Sequence, residues 1–495
     1  MVAGTGALAP SLDLAPPFLL CPDIFAIVCF NDAFQRALDF ATIQNLLRVC
    51  KRAQPLLSSK ITRFHSWCQK AGLHSPDGSS RIGLTPSDQI ALSLHCRDPV
   101  TAGRSWLEDQ SARGNASASY LLARILQDDL DCSEMRRFKQ RTAQQQIFEL
   151  LESATNSNHP MAQFHLAECF LDGIGVNQDH TKAVEMYRGI AGRGVPRAQI
   201  ALGRCSENGE GVDQSYDTAI EWYAKAEAQG SSDGRLRIEF LRGWFAFIGH
   251  GVEQSDIDAL GHWQEVSTKS GDAVIKPIAT HMVGWMHYLG RGTVQDKQKG
   301  VQIIRDNKSD EFPLGEDRCL ACGFTEPWIC YNSPGPRKFL TMCQLGSEHD
   351  WLCKHLVALC QYSYFGTIRG RDKARGIFEE LANDGHSDSQ LWIGECYFND
   401  HEGSEEDMSK AFQWFSKSAN QGNSYGQWRV GYCYFIGEGA TKDYAKAVEW
   451  FSKSAEQGNR YAEYYIGECY QYGYEFTKND DTAELWYCKA EDQGL

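Results

Sequence analysis

The residues whose type and spacing best suit chemistry are thiols. Cys319 and Cys322 form a C-x2-C pair, and Cys330, Cys343 and Cys353 follow, with His349 and His355 close in sequence. Four thiolates can hold a structural Zn²⁺ in a tetrahedron, and the usual signature is two such knuckles. Only one knuckle is present here, and the gaps of 7 residues from Cys322 to Cys330 and 12 from Cys330 to Cys343 match no common finger. The candidate ligand set is Cys319, Cys322, Cys330 and Cys343. The competing reading makes Cys319 and Cys322 two faces of one buried helical turn in LACGF. A redox C-x2-C would need a strand-helix-strand pattern around it, and none is present. No cofactor is expected.

Other catalytic constellations are missing from the sequence. It has no G-x4-G-K-[ST], no G-x-S-x-G, no H-E-x2-H and no kinase signature. The 14 histidines are scattered without ligand spacing. Glu405, Glu406 and Asp407 fall in an expected loop, where carboxylates are simply solvated. The chain reads as a non-enzyme. Lys and Arg number 49 against 64 Asp and Glu, a net charge of −15, which opposes wrapping a nucleic acid or docking on an anionic membrane. No apolar run is long enough for a transmembrane helix. The opening MVAGTGALAPSLDLAPPFLLCP has no basic start, and Asp13 and three prolines interrupt it, so it is not expected to act as a secretory signal. A cytoplasmic or nuclear location with reduced thiols is the expectation.

The elements that must position these residues come from a period. Residues 390–422, 426–458 and 462–494 are copies of one another, and Gly422, Gly458 and Gly494 lie 36 apart, as do Ala411, Ala447 and Ala483. Residues 162–194 and 198–230 repeat the pattern. Looser copies end at Gly271 and near Asn307, another spans about 356–385, and a degenerate one lies between Ser119 and Asn158. Each unit places apolar or small residues at helical spacing, stops at a Gly-x-Gly loop, and restarts in a second helix with Asp or Asn near its start and Lys toward its end. Ala447, Trp450, Phe451 and Ala455 form the second helix's buried stripe. Small residues at Gly431, Ala447 and Ala455 let helices approach closely. A terminal Gln-Gly ends the second helix and turns the chain into the next unit. One such pair cannot bury its apolar face, but stacked copies can.

The period also explains six cysteines. Cys169, Cys205, Cys360, Cys396, Cys433 and Cys469 share one first-helix slot, which Phe245 and Met286 fill in the looser copies. A slot that accepts Cys, Phe and Met is a buried apolar position. Successive copies about 10 Å apart are too distant for a disulfide.

The pattern of residues 198–230, with its A-x3-L-G-x-C, G-x-G-V loop, A-x2-W-Y-x-K-A and closing Q-G, resembles the Sel-one-like repeat (SLR), a relative of the tetratricopeptide repeat. The resemblance covers about residues 119–308 and 355–495. It implies an all-α fold, an α/α right-handed superhelical solenoid of helix-turn-helix repeats, and an adaptor or scaffold whose concave surface binds partner proteins. The luminal adaptors of endoplasmic-reticulum degradation in this family would need a signal peptide. The secreted cysteine-rich bacterial members pair two cysteines per repeat, whereas most repeats here hold one.

The expected organisation is a flexible tail (1–17), a helical segment (18–66), a linker and partial repeat (67–118), a first repeat block (119–308), an irregular Cys-containing insert (309–354) and a second block (355–495). Residues 18–63 read as three short amphipathic helices. Their LxP-D-I…NLLRVCK layout resembles a degenerate F-box, which implies contact with a Skp-type adaptor of a cullin ubiquitin ligase through Leu20, Pro22, Ile24, Leu46, Leu47 and Val49. This gives a second functional expectation, a substrate-recruiting ligase subunit. The aromatic finish of that motif is missing, and the competing reading is a helical cap on the solenoid. The chain stops at Leu495 directly after a repeat-ending glycine, so either further sequence or self-association through that end is expected.

Overall fold

The computed structural model describes residues 104–131, 137–321, 333–363, 368–399 and 404–495, and among these every regular element is a helix. The chain divides into two compact units, one reaching Ile238 and the other running from Glu239 to Leu495. The division falls inside the expected first block and inside one helix, α8. The first unit carries α1 (Arg104–Ala112), α2 (Ala116–Asp131), α3 (Arg137–Asn156), α4 (Pro160–Asp172), α5 (His180–Ala191), α6 (Pro196–Asn208), α7 (Tyr216–Glu227) and the start of α8 (Ser232–Ile248). The second carries the rest of α8, then α9 (Asp256–Lys269), α10 (Ile275–Leu289), α11 (Lys297–Asp306), α12 (Glu316–Cys319), α13 (Pro334–Gly346), α14 (Trp351–Ser363), α15 (Ile368–Asn383), α16 (Ser387–Phe398), α17 (Glu405–Asn420), α18 (Ser424–Ile436), α19 (Tyr444–Ala455), α20 (Arg460–Tyr472) and α21 (Asp480–Asp492). Within each unit a helix packs chiefly on its neighbours in sequence, the nearest-neighbour order of an all-α helical solenoid.

One local geometry recurs because one sequence recurs. In α18 the carbonyl of the slot cysteine, Cys433, accepts the N–H groups of Gly437 and Glu438, and Gly437 holds φ +87°, a conformation that strains any residue with a Cβ. The chain then crosses to Asp443. Its backbone N–H returns to the Tyr434 carbonyl, and its carboxylate caps α19 by accepting from the Lys446 N–H at 3.1 Å. Cys205, Cys469 and Met286 head the same loop elsewhere. The first-helix glycine is a contact point: a Cβ on Gly431 would sit 2.7 Å from the Phe451 ring. The closing Gln does more than stop a helix. Gln421 donates to Gln390 at 2.7 Å and Gln457 to Gln427 at 2.8 Å, each within one repeat, and buried Gln390 donates in turn to the Ala382 carbonyl at 3.1 Å, which braces that repeat to the hairpin before it.

Two expectations need correcting. The stretch 309–354 is not irregular throughout, since it contains α12, α13 and the beginning of α14. Pro334, just after Ser333, starts α13 as proline can at a first helical position. Glu405, Glu406 and Asp407 lie in the first turn of α17, not in a loop. Ser404 caps that turn, and their charges complement the helix dipole.

Candidate functional site

The cysteines divide cleanly. Cys169, Cys205, Cys360, Cys396, Cys433 and Cys469 are all buried in the shared slot. Burial pushes the thiols of Cys169, Cys205, Cys360, Cys433 and Cys469 up to about 12, so they persist as protonated apolar groups. Of the proposed zinc ligands, Cys322 and Cys330 lie outside the described residues. Cys319 and Cys343 are fully buried, and burial raises both thiols well above their ordinary value. The Cys319 Sγ lies 3.9 Å from the His281 Nε2, which already accepts a hydrogen bond from the Trp285 indole. Among the described residues no three His, Cys, Asp or Glu side chains are grouped to hold a metal. The F-box-like residues Leu20, Pro22, Ile24, Leu46, Leu47 and Val49 also lie outside the described residues.

Two features of the second unit gather functional side chains. The first is a seam. The chain from α10 to Ala321 runs along the first turns of α16, α18 and α20. Tyr288 donates to the Asp388 carboxylate at 3.0 Å, and Asn423 donates to the same oxygen at 3.0 Å. Burial raises the Asp388 carboxyl despite those bonds. Lys297 reaches the Gly422 carbonyl at 3.2 Å. Further along, Glu316 is buried and receives Arg305 Nε at 2.6 Å and the Tyr425 hydroxyl at 2.7 Å, with Arg460 Nε at 3.3 Å. Its neighbour Asp317 contacts Arg460 and the Tyr461 hydroxyl, with Lys308 Nζ at 3.6 Å. Burial pushes the Asp317 carboxyl up, but Tyr461, Arg460 and Lys308 outweigh it and hold it below its usual range. Trp392 donates its indole N–H to the Cys319 carbonyl at 3.2 Å. Phe312, Leu314 and Leu320 are buried on either side of the acid pair.

The second feature is an aromatic run across α16, α18 and α20. Ring centroids step from Phe398 to Tyr432 (6.2 Å), to Tyr465 (5.4 Å), to Tyr464 (5.6 Å) and to Tyr487 on α21 (5.2 Å). Tyr464 is 38% exposed, whereas Phe398, Tyr432 and Tyr465 are half-buried. Against the first two rings, the Arg429 guanidinium makes a two-pronged ion pair with fully buried Glu395 and lies 4.7 Å from the Phe398 ring centre and 5.6 Å from that of Tyr432. Arg429 lowers the Glu395 carboxyl, but burial wins and leaves it raised.

The repeat reading did not single out Glu316, Asp317, Arg305, Arg460, Tyr461 or Tyr464. One signal was available. The residue opening α20 is Arg460, where Ser387 and Ser424 open α16 and α18 and Pro160 and Pro196 open α4 and α6.

The Sel1 repeat family model matches residues 160–188, 196–231, 277–303, 387–423, 424–459 and 460–495. Six segments of the chain thus match the Sel1 repeat. They coincide with α4/α5, α6/α7, α10/α11, α16/α17, α18/α19 and α20/α21. The pairs α2/α3 and α14/α15 are helical hairpins outside the matched segments. Among solved structures, the chain is similar to a protective antigen of uropathogenic Escherichia coli strains displaying an SLR fold, at 23% identity and TM-score 0.35, over 92% of this chain and 88% of that one. It is also similar to a Sel1 repeat protein from Oxalobacter formigenes, at 21% identity and TM-score 0.28, over 74% and 89%. A third likeness is to a Sel1 repeat protein from Klebsiella pneumoniae subsp. pneumoniae, at 19% identity and TM-score 0.27, over 41% and 91%. No curated protein matches the chain. Sel1 repeat proteins are generally protein-interaction scaffolds. Among the described residues no helix is long and apolar enough to cross a membrane.

Proposed function

We propose that this chain is a protein-interaction scaffold whose partners dock on the first-helix face of α16, α18 and α20. The observation that carries this reading is the continuous aromatic run from Phe398 to Tyr487, which spans three repeats and includes an exposed ring, Tyr464. Tyrosine offers a large, stiff, half-polar surface and is enriched where proteins meet. Two of the rings, Phe398 and Tyr432, lie over the Arg429 guanidinium of the buried Arg429–Glu395 pair, which limits the ordering entropy lost at that end of the run on docking. Nothing among the described residues bears on the F-box-like segment, and a ubiquitin-ligase role is not proposed.

The test is photo-cross-linking from the full chain. A benzoylphenylalanine placed at Tyr464 is expected to capture discrete partner proteins, while the same group at exposed Glu449 on α19 captures none of them. Equal capture from both positions refutes the assignment of the face.

A further inference from the structure

The seam is built differently from the contacts that stack the repeats. Stacking uses the second glycine of the Gly-x-Gly loop and the Gln brace, and both recur in several copies. The segment from Phe312 to Ala321 belongs to no repeat and has only the four-residue α12 as regular structure. It is nevertheless held by three separate kinds of contact. Its adjacent acids are read one by one, Glu316 by Arg305, Arg460 and Tyr425, and Asp317 by Arg460, Tyr461 and Lys308. Its apolar flanks, Phe312, Leu314 and Leu320, are buried. Its main chain is held where Trp392 donates to the Cys319 carbonyl. Charge pairs that fix register, apolar anchors and main-chain hydrogen bonds are how a protein surface reads a peptide. Arg460 opens α20 where serines open α16 and α18, and it serves the strap through Glu316 and Asp317.

We propose that the first turns of α18 and α20, with Arg305 and Trp392, form a binding site for an acidic peptide, which the chain's own Glu316–Asp317 strap occupies in cis, and that a protein segment with two adjacent carboxylates between apolar residues takes the strap's place. This rests on the reading of the chain as a partner-binding scaffold and names the chemistry of one class of partner. The tether gives the strap an effective concentration in the millimolar range, so a free segment of micromolar affinity is excluded until the strap leaves. The site is therefore closed in the resting chain and opens by competition.

The experiment uses the full chain and a fluorescent peptide of its residues 309–321, followed by anisotropy. The unaltered chain is expected not to bind the peptide at micromolar concentration. The Glu316→Gln/Asp317→Asn chain, whose strap has lost both charges, is expected to bind it. Adding Arg460→Gln, or neutralising the two acids in the peptide, is expected to weaken that binding by about tenfold or more, as for a central charged anchor. A folded Glu316→Gln/Asp317→Asn chain that ignores the peptide overturns the proposal, as does binding indifferent to Arg460. If that variant does not fold, hydrogen exchange of the unaltered chain decides. Amides of 312–321 that exchange at least about tenfold faster than those of α18 and α20 mark a strap that opens by itself, and equal protection makes it core and refutes displacement. Capture from Tyr464 is read separately, so its loss would remove the scaffold reading of that face without touching this result, and the reverse also holds.

Discussion

Gly439 and Gly251 both close a Gly-x-Gly loop in the second unit and share nearly the same backbone, φ +71° and +70°. Their surroundings differ. A Cβ on Gly439 would lie 2.3 Å from the Met408 carbonyl oxygen and 3.0 Å from the Phe412 Cβ, both on α17 of the preceding repeat, whereas a Cβ on Gly251 meets nothing within 4 Å. Gly251→Ala should therefore cost only the left-handed penalty of an L-residue, about 1–2 kcal/mol. Gly439→Ala carries the same penalty, and a backbone collision is added that only moving one repeat relative to the next can relieve, for roughly 1–3 kcal/mol more. Urea unfolding followed by far-UV circular dichroism compares the midpoints, and hydrogen exchange of α17 and α18 locates the damage, because a repeat array need not unfold in one step. The larger loss should belong to Gly439→Ala and should centre on the α17–α18 boundary. Equal losses for the two substitutions would refute the idea that the second loop glycine sets the distance between repeats.

Three further outcomes follow from the buried polar groups. Arg429→Met leaves the Glu395 carboxylate buried without its partner and should cost about 3–5 kcal/mol, while Arg429→Met with Glu395→Leu should recover most of it; unfolding midpoints of the two variants check this. Burial lowers the imidazoles of His281 and His355 to about 3, so both stay neutral in the folded chain, and NMR should show neither titrating above pH 5. Since the unfolded chain takes up those protons near 6.5, the contribution is complete above that pH and is lost as pH falls from 6.5 toward 3, about 2 kcal/mol per histidine between pH 7 and 5. His281→Phe should flatten this part of the pH profile of stability. Of the ten described cysteines only Cys488 is exposed, so alkylation of the native chain read by mass spectrometry should mark Cys488 and spare the other nine until the protein unfolds.

Sequence reading recovered what each copy repeats and missed what occurs once. The 36-residue period, the αL glycines such as Gly437, the close approach at Gly431 and the apolar cysteine slot all arise from contacts between nearest neighbours, and every copy restates them. The Gln brace was half seen. Gln457 was legible as the end of a helix, but its bond to Gln427, 30 residues back in the same repeat, required the packing of the two helices to be known. The seam could not be read from periodicity, because Glu316 meets Tyr425 across 109 residues and Asp317 meets Arg460 across 143. Chain segments that far apart leave no trace in local spacing. The break in the period from 309 onward is visible in the sequence and fits no repeat template, although Ser333-Pro334 carries the start signal of α13. The candidate face lay between these cases: its tyrosines were plain in the sequence, but only the folded stack distinguishes Tyr464, which faces solvent, from Tyr425, which is buried.

The central claim is that the aromatic first-helix face of the second unit holds partner proteins, and the dissociation constant of a partner captured from Tyr464, measured by calorimetry on the full chain, tests it most directly. Tyr464→Asp is expected to weaken binding by about tenfold or more while leaving the circular dichroism unchanged, and Glu449→Lys on α19 is expected to leave the affinity as it was. Unchanged affinity in Tyr464→Asp, or an equal loss in both variants, would contradict the claim.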